Sequence, residues 1–260
     1  MTAMALKILI LGGTTEASAL ARALDGDARF APVLSLAGRT KSPRLPPIPY
    51  RIGGFGGVAG LVDHLRREAV EALVDATHPF AAQMARHAAE AAERTGVPLL
   101  AIRRPEWRAE VGDRWTEVPD MTAAVAALGT EPRRVFLTIG QKELAPFARA
   151  SQHVYLIRSV DAPDPAARPP QCEILTARGP FREEDEHRLL VEHRIEVLVT
   201  KNSGGEAAAA KLSAARALNL PVVMVARLPL PDVPSVETAE AALEWLNARH
   251  EAKAATRRGV

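Results

Sequence analysis

Ile8-Leu9-Ile10-Leu11-Gly12-Gly13-Thr14-Thr15-Glu16 is the stretch whose reading decides how this chain folds. Four apolar residues bounded by glycines read as a buried strand, and Glu16 through Leu24 reads as the helix after it. The glycines fall where the backbone must bend sharply and let a ligand come close. Free backbone N–H groups and the positive end of a helix meet there, which suits a phosphate. Thr14 or Thr15 can cap the helix and also offer a hydroxyl to a phosphate oxygen. The spacing is not the full G-x-G-x-x-G, so a plain strand-to-helix turn would use the same glycines.

A second apolar run, Val33 to Leu36, ends in Ala37-Gly38-Arg39-Thr40-Lys41. In a dinucleotide fold the residue after the second strand meets the adenosine ribose. A carboxylate there holds the 2′-hydroxyl of NAD, whereas an arginine accommodates the 2′-phosphate of NADP. No acid stands here, and Arg39 with Lys41 supplies positive charge, so the pair of segments favours NADP. A solvated basic loop is the competing account of the same residues.

Composition sets the outer bounds. The chain has 260 residues, 47% hydrophobic and 25% charged, which is the profile of a globular protein with room for two domains. It contains no eighteen-residue apolar window, so no membrane span is expected. A net charge of +2 argues against a nucleic-acid partner. One cysteine, Cys172, excludes an internal disulfide. The opening residues lack the pattern of a secretion signal, and a cytoplasmic location is the expectation. The basic segment Lys253 to Arg258 reads as frayed, and residues 251–260 are expected to form a flexible tail.

Strand-like runs at 6–11, 31–37, 70–76 and 98–103 alternate with helical stretches, with a short segment at 50–52. Further runs follow at 133–139, 153–159, 172–177, 195–200 and 222–226, with helices expected over 121–129, 142–150, 181–193, 205–219 and 236–249. Such alternation predicts α/β architecture: two Rossmann-like, doubly wound domains with mainly parallel sheets and an inter-domain cleft. The expected partition is 1–112 and 113–250. The halves echo each other, since Val97–Arg103 resembles Leu220–Arg227, and each follows an Ala-rich helix.

Chemistry concentrates at strand ends. Gly53-Gly54-Phe55-Gly56-Gly57 is a flexible strand-to-helix turn of the kind that faces ligands. Asp75-Ala76-Thr77-His78-Pro79-Phe80 places Thr77 and His78 at a sheet edge, where a histidine can donate to a ligand or pass a proton; His78 could equally cap the helix and pack on Phe80. Thr200-Lys201-Asn202-Ser203-Gly204-Gly205 reads as another anion cradle with Lys201 as a point charge. Thr138-Ile139-Gly140-Gln141-Lys142 is a weaker third. There is no G-x-S-x-G, no H-E-x-x-H and no histidine pair at ligand spacing, so neither a serine nucleophile nor a metal is expected.

The GGTTE turn, Ala37–Thr40, Gly53–Gly57, the DATHPFA segment Asp75–Ala81, Thr138–Lys142 and the KNSGG segment Lys201–Gly205 together resemble the precorrin-6A reductases of vitamin B12 biosynthesis. The match spans both halves in order, and DATHPFA and KNSGG are its most specific parts. The resemblance implies an NADPH-dependent reduction of a ring double bond in precorrin-6A, a tetrapyrrole-derived small molecule, to give precorrin-6B. It implies that the first domain holds the cofactor through Gly12, Gly13, Thr14, Thr15, Glu16, Gly38, Arg39, Thr40, Gly53, Gly54, Phe55, Gly56, Thr77 and His78. The second closes over it with Lys201, Asn202 and Ser203. Arg103, Arg104, Lys142 and Lys201 are the candidates to meet the substrate's carboxylates, and His78 and Lys201 the candidate catalytic groups. Transient contact with neighbouring pathway enzymes is a further expectation. The residues alone also leave open an S-adenosylmethionine-dependent methyltransferase and a non-catalytic NADPH-binding regulator.

Overall fold

The computed structural model describes residues 5–38 and 45–257. The chain begins with β1 (Leu6–Leu11), α1 (Thr15–Ala23), β2 (Phe30–Leu36), β3 (Tyr50–Ile52), α2 (Val58–Arg67), β4 (Ala72–Asp75), α3 (Ala82–Thr95) and β5 (Leu99–Ile102). It continues with β6 (Arg114–Val118), α4 (Met121–Leu128), β7 (Arg134–Thr138), β8 (Val154–Ser159), β9 (Cys172–Thr176), α5 (Glu183–Glu192), β10 (Val197–Lys201), α6 (Ala210–Ala217) and β11 (Pro221–Val225). It ends with β12 (Ser235–Val236) and α7 (Ala239–Arg257). Among the described residues no helix is long and apolar enough to cross a membrane.

Two six-stranded sheets result, in the orders β12-β5-β4-β1-β2-β3 and β6-β11-β10-β7-β8-β9. Every neighbouring pair is parallel. A strand inside a parallel sheet is covered on both faces, which is why Ile8–Leu11, Ala72–Val74 and Val197–Val199 are continuous buried apolar runs. The echo noted above has a structural meaning: β5 and β11 occupy the same place in their sheets, beside β4 and β10. The chain reverses direction of winding between β1 and β4 in one sheet and between β7 and β10 in the other. Ligands of such folds lie outside the carboxyl ends of strands at these points.

The partition differs from the expected break at residue 112. One compact unit contains the described residues up to Arg104 together with those from Pro229 onward, and the other spans Pro105–Leu228. The reason is an exchange of edge strands. After β5 the chain leaves to become β6, which pairs with β11, and after β11 it returns as β12, which pairs with β5. Both strands escape a reading of apolar runs, because β6 is the mostly exposed Arg-Trp-Thr-Glu-Val and β12 is two residues long.

Two helix expectations also change. The span 142–150 forms short 3-10 turns, Gln141–Glu143 and Ala145–Arg149. Leu144, Phe147 and Ala150 are buried at a spacing of three, the period of a 3-10 turn. Of the expected flexible tail 251–260, the described residues up to Arg257 continue α7. Its Lys253 Nζ donates to the Ala5 carbonyl at 3.2 Å and to Glu71 Oε2 at 2.6 Å. Ala239, Ala242 and Leu246 of α7 join Leu20, Ile10 and Val74 in the core of the first unit.

Candidate functional site

The carboxyl edge of the first sheet gathers five turns. Gly12–Glu16 follows β1, Gly38 follows β2, Gly53–Gly56 follows β3, Thr77 and His78 follow β4, and Arg103 and Arg104 follow β5. Arg39 and Thr40 lie outside the described residues.

Gly12 lets β2 pack closely, since a Cβ there would come within 2.7 Å of Leu34 Cδ1 and displace that side chain. Gly13 is required by backbone conformation, at φ +129°, and the space where its Cβ would sit is open to 4 Å. Thr14 caps α1: its Oγ1 accepts from Ala17 N at 3.1 Å and donates its own proton to the Ala76 carbonyl at 2.9 Å. That hydroxyl proton is thus committed to tying the first turn to the end of β4. Thr15 Oγ1 donates to Glu16 Oε2 at 3.1 Å. Burial acts to raise the Glu16 carboxyl, but its backbone hydrogen bond, Arg104, Thr15 and Thr14 outweigh it and hold the group below the usual glutamate range.

Asp75 is buried at 1% exposure and serves its own turn. It accepts from Thr77 N at 3.1 Å and Thr77 Oγ1 at 2.7 Å, and Arg103 Nη2 reaches its other oxygen at 2.6 Å. His78 Nδ1 accepts from Phe80 N at 3.2 Å, which assigns the neutral ring's proton to Nε2. Its ring lies 5.9 Å from that of Phe80.

The glycine segment after β3 is organised by Arg51, a residue that sequence reading passed over. Its Nη1 donates to Ser35 Oγ at 2.7 Å and to the Gly53 carbonyl at 2.9 Å, while Nη2 donates to the Gly54 carbonyl at 3.0 Å. The guanidinium also sits 4.0 Å from the Phe55 ring centroid. Nothing distinguishes Arg51 from an ordinary edge-strand cation until the carbonyls turn toward it.

In the second unit the corresponding edge holds Lys201 at the end of β10, Asn202 and Ser203 just after it, and Lys142 after β7. Lys201 Nζ contacts Glu143 Oε2 at 2.9 Å and Oε1 at 3.1 Å, with the lysine side chain 13% exposed. Glu143 was not singled out from sequence, although it directly follows the named Gln141-Lys142 pair. Asn202 is buried, and its amide spans the backbone of Trp107, with Oδ1 accepting from Trp107 N at 2.9 Å and Nδ2 donating to its carbonyl at 3.0 Å. Ser203 is also buried, whereas Lys142 stands exposed on its 3-10 turn. A cavity of about 310 Å³ adjoins this turn, lined by Trp107, Glu117, Asn202, Met224 and Arg227 among others.

Two parallel sheets, each reversing its winding next to a glycine-bearing turn, define a doubly wound α/β protein of the Rossmann type. The profile of precorrin-6x reductase CbiJ/CobK matches residues 7–247. The chain belongs to that family and is an oxidoreductase. It is 51% identical over 254 residues to a precorrin-6A reductase of Rhodobacter capsulatus, spanning 98% of this chain and 99% of that one. A precorrin-6A reductase of Sinorhizobium is 53% identical over 92% of this chain and 94% of its own length. A solved structure, CobK precorrin-6A reductase, superposes with a TM-score of 0.89 at 51% identity, covering 94% of this chain and 96% of that one.

Proposed function

We propose that this reductase uses NADPH to reduce one ring double bond of precorrin-6A, giving precorrin-6B in cobalamin biosynthesis. The observation that carries the cofactor half of this reading is the Gly12-Gly13-Thr14 turn. It lies at the winding reversal, holds Gly13 at φ +129°, and leaves open space before the first turn of α1. The N–H of Thr15 precedes the helix's first internal bond and so has no acceptor within it, while that of Glu16 is shared with its own carboxylate. That is the donor set a pyrophosphate requires, and the residues present fit the group. Bound there, a reduced nicotinamide supplies a hydride, and a proton must complete the two-electron reduction.

Roles follow from chemistry. Gly13, Thr14 and Thr15 offer backbone to the pyrophosphate, and Gly12, whose N–H donates to the Ser35 carbonyl at 2.9 Å, shapes the turn that presents them. Glu16, an ionised acceptor, suits a ribose hydroxyl better than a phosphate. Gly38, Arg39 and Thr40 supply the 2′-phosphate contact, and Gly53, Gly54, Phe55 and Gly56 with Thr77 and His78 line the path toward the nicotinamide. Lys201, Asn202 and Ser203 complete the cofactor's surroundings. Arg103, Lys142 and Lys201 serve substrate carboxylates. Of the two catalytic candidates, Lys201 is an ammonium held by Glu143. His78, with Nδ1 accepting and Nε2 protonated, is a neutral donor suited to positioning a ligand carbonyl.

Calorimetric titration with NADPH, NADH and S-adenosylmethionine tests the assignment, with preference for NADPH expected. Oxidation of NADPH on adding the oxidised macrocycle then separates a reductase from a cofactor-binding regulator. Arg39→Ala is expected to weaken NADPH at least tenfold more than NADH, the scale of one charge-assisted contact. Equal loss for both would place the 2′-phosphate elsewhere. An unchanged rate in His78→Ala would remove that side chain from the reaction.

A further inference from the structure

Two consecutive arginines leave β5, and they meet their carboxylates at different distances, Arg104 having contacts besides. Arg103 is bound tightly, with Nη2 2.6 Å from Asp75 Oδ2. Arg104 Nη1 lies 3.4 Å from both Glu16 oxygens, well beyond the distance of a strong charge-assisted bond. Neither partner of that looser pair is a surface group, at 14% and 19% exposure. Glu16 is the second residue of α1, so Arg104 stands beside the helix end whose first-turn amides point outward. Thr14 cannot contribute its hydroxyl proton to an anion there, because Ala76 holds it.

We propose that Arg104 is a cofactor residue and not a substrate residue: the dinucleotide's pyrophosphate takes its guanidinium over from Glu16. This rests on the dinucleotide reading above. A pyrophosphate at Gly13 brings a second anion next to an ionised carboxylate, and two anions at one helix end repel unless a cation serves both. Arg104 is placed to be that cation, and its planar fork can turn from a carboxylate to a phosphate without losing charge. Glu16 then keeps Arg104 near the turn and also competes for it.

Titration of the full-length protein with NADP⁺, ADP-ribose and adenosine 2′-monophosphate tests this, since only the first two carry the pyrophosphate. Arg104→Gln is expected to weaken both by roughly ten- to a hundredfold while leaving the monophosphate nearly unchanged. Arg104→Lys is expected to fall between. Arg104→Gln with wild-type affinity for NADP⁺ and a raised KM for the macrocycle would overturn the proposal and return Arg104 to the substrate. Equal weakening of all three ligands would also overturn it. Should Arg104→Gln fail to fold, wild-type affinity for NADP⁺ and ADP-ribose in Arg104→Lys decides against the exchange. If the wild-type protein binds none of the three ligands, the dinucleotide reading itself fails, and Arg104's role with it.

Discussion

Asp75 shows how a residue in the right place can work indirectly. The DATHPFA segment drew attention as a ligand turn, and its position at the edge of the sheet was legible from the apolar run before it. Its internal bonding was not. The carboxylate folds back onto Thr77 and out to Arg103, twenty-eight residues on, and no local pattern announces such a partner. Asp75→Asn leaves the largely buried guanidinium of Arg103 without its counter-charge, at an expected cost of about 3 kcal/mol. Amide hydrogen exchange in β1 and β4 is the check, with faster exchange expected. Unchanged protection would mean that Arg103 finds another anion.

At the scale of elements, strands between helices were readable because burial on both faces leaves a continuous apolar signature. Helix ends were less so. The 3-10 turns after β7 were expected as one helix, since a buried residue at every third position mimics a helical stripe over a single turn. The terminal helix was expected to fray where basic residues accumulate, yet Lys253 finds Glu71 and the Ala5 carbonyl. Upstream on the same helix, Leu246 is fully buried against the first unit's core. Leu246→Ala is expected to destabilise the protein by about 3 kcal/mol through lost transfer energy and the cavity left behind. Urea unfolding measures this. A loss below about 1 kcal/mol would show that the core collapses around the gap or that α7 is dispensable.

At the scale of the whole molecule, the fold class and the parallel sheets followed from alternation of strand and helix. The partition did not, because edge strands carry little apolar signal and β12 is too short to have a pattern at all. The consequence can be measured. Residues 1–112 alone lack β12 and α7, and so lose Ala242 and Leu246 from their core. That fragment is expected to show no dispersed amide spectrum. Residues 1–104 joined directly to 229–260 restore the missing pieces and are expected to fold. A dispersed spectrum from the shorter fragment would mean that β5 tolerates an open edge.

The exchange of β6 and β12 also fixes a timetable for synthesis. Everything the unit at Pro105–Leu228 needs is contiguous and has emerged once β11 has been made. The segment up to Arg104 must wait for β12 and α7, from Pro229 onward, before its sheet can close. On the ribosome, the middle of this polypeptide is therefore finished before its beginning. Until translation ends, the nascent glycine turn sits on an incomplete scaffold, with the apolar surface meant for α7 still wet.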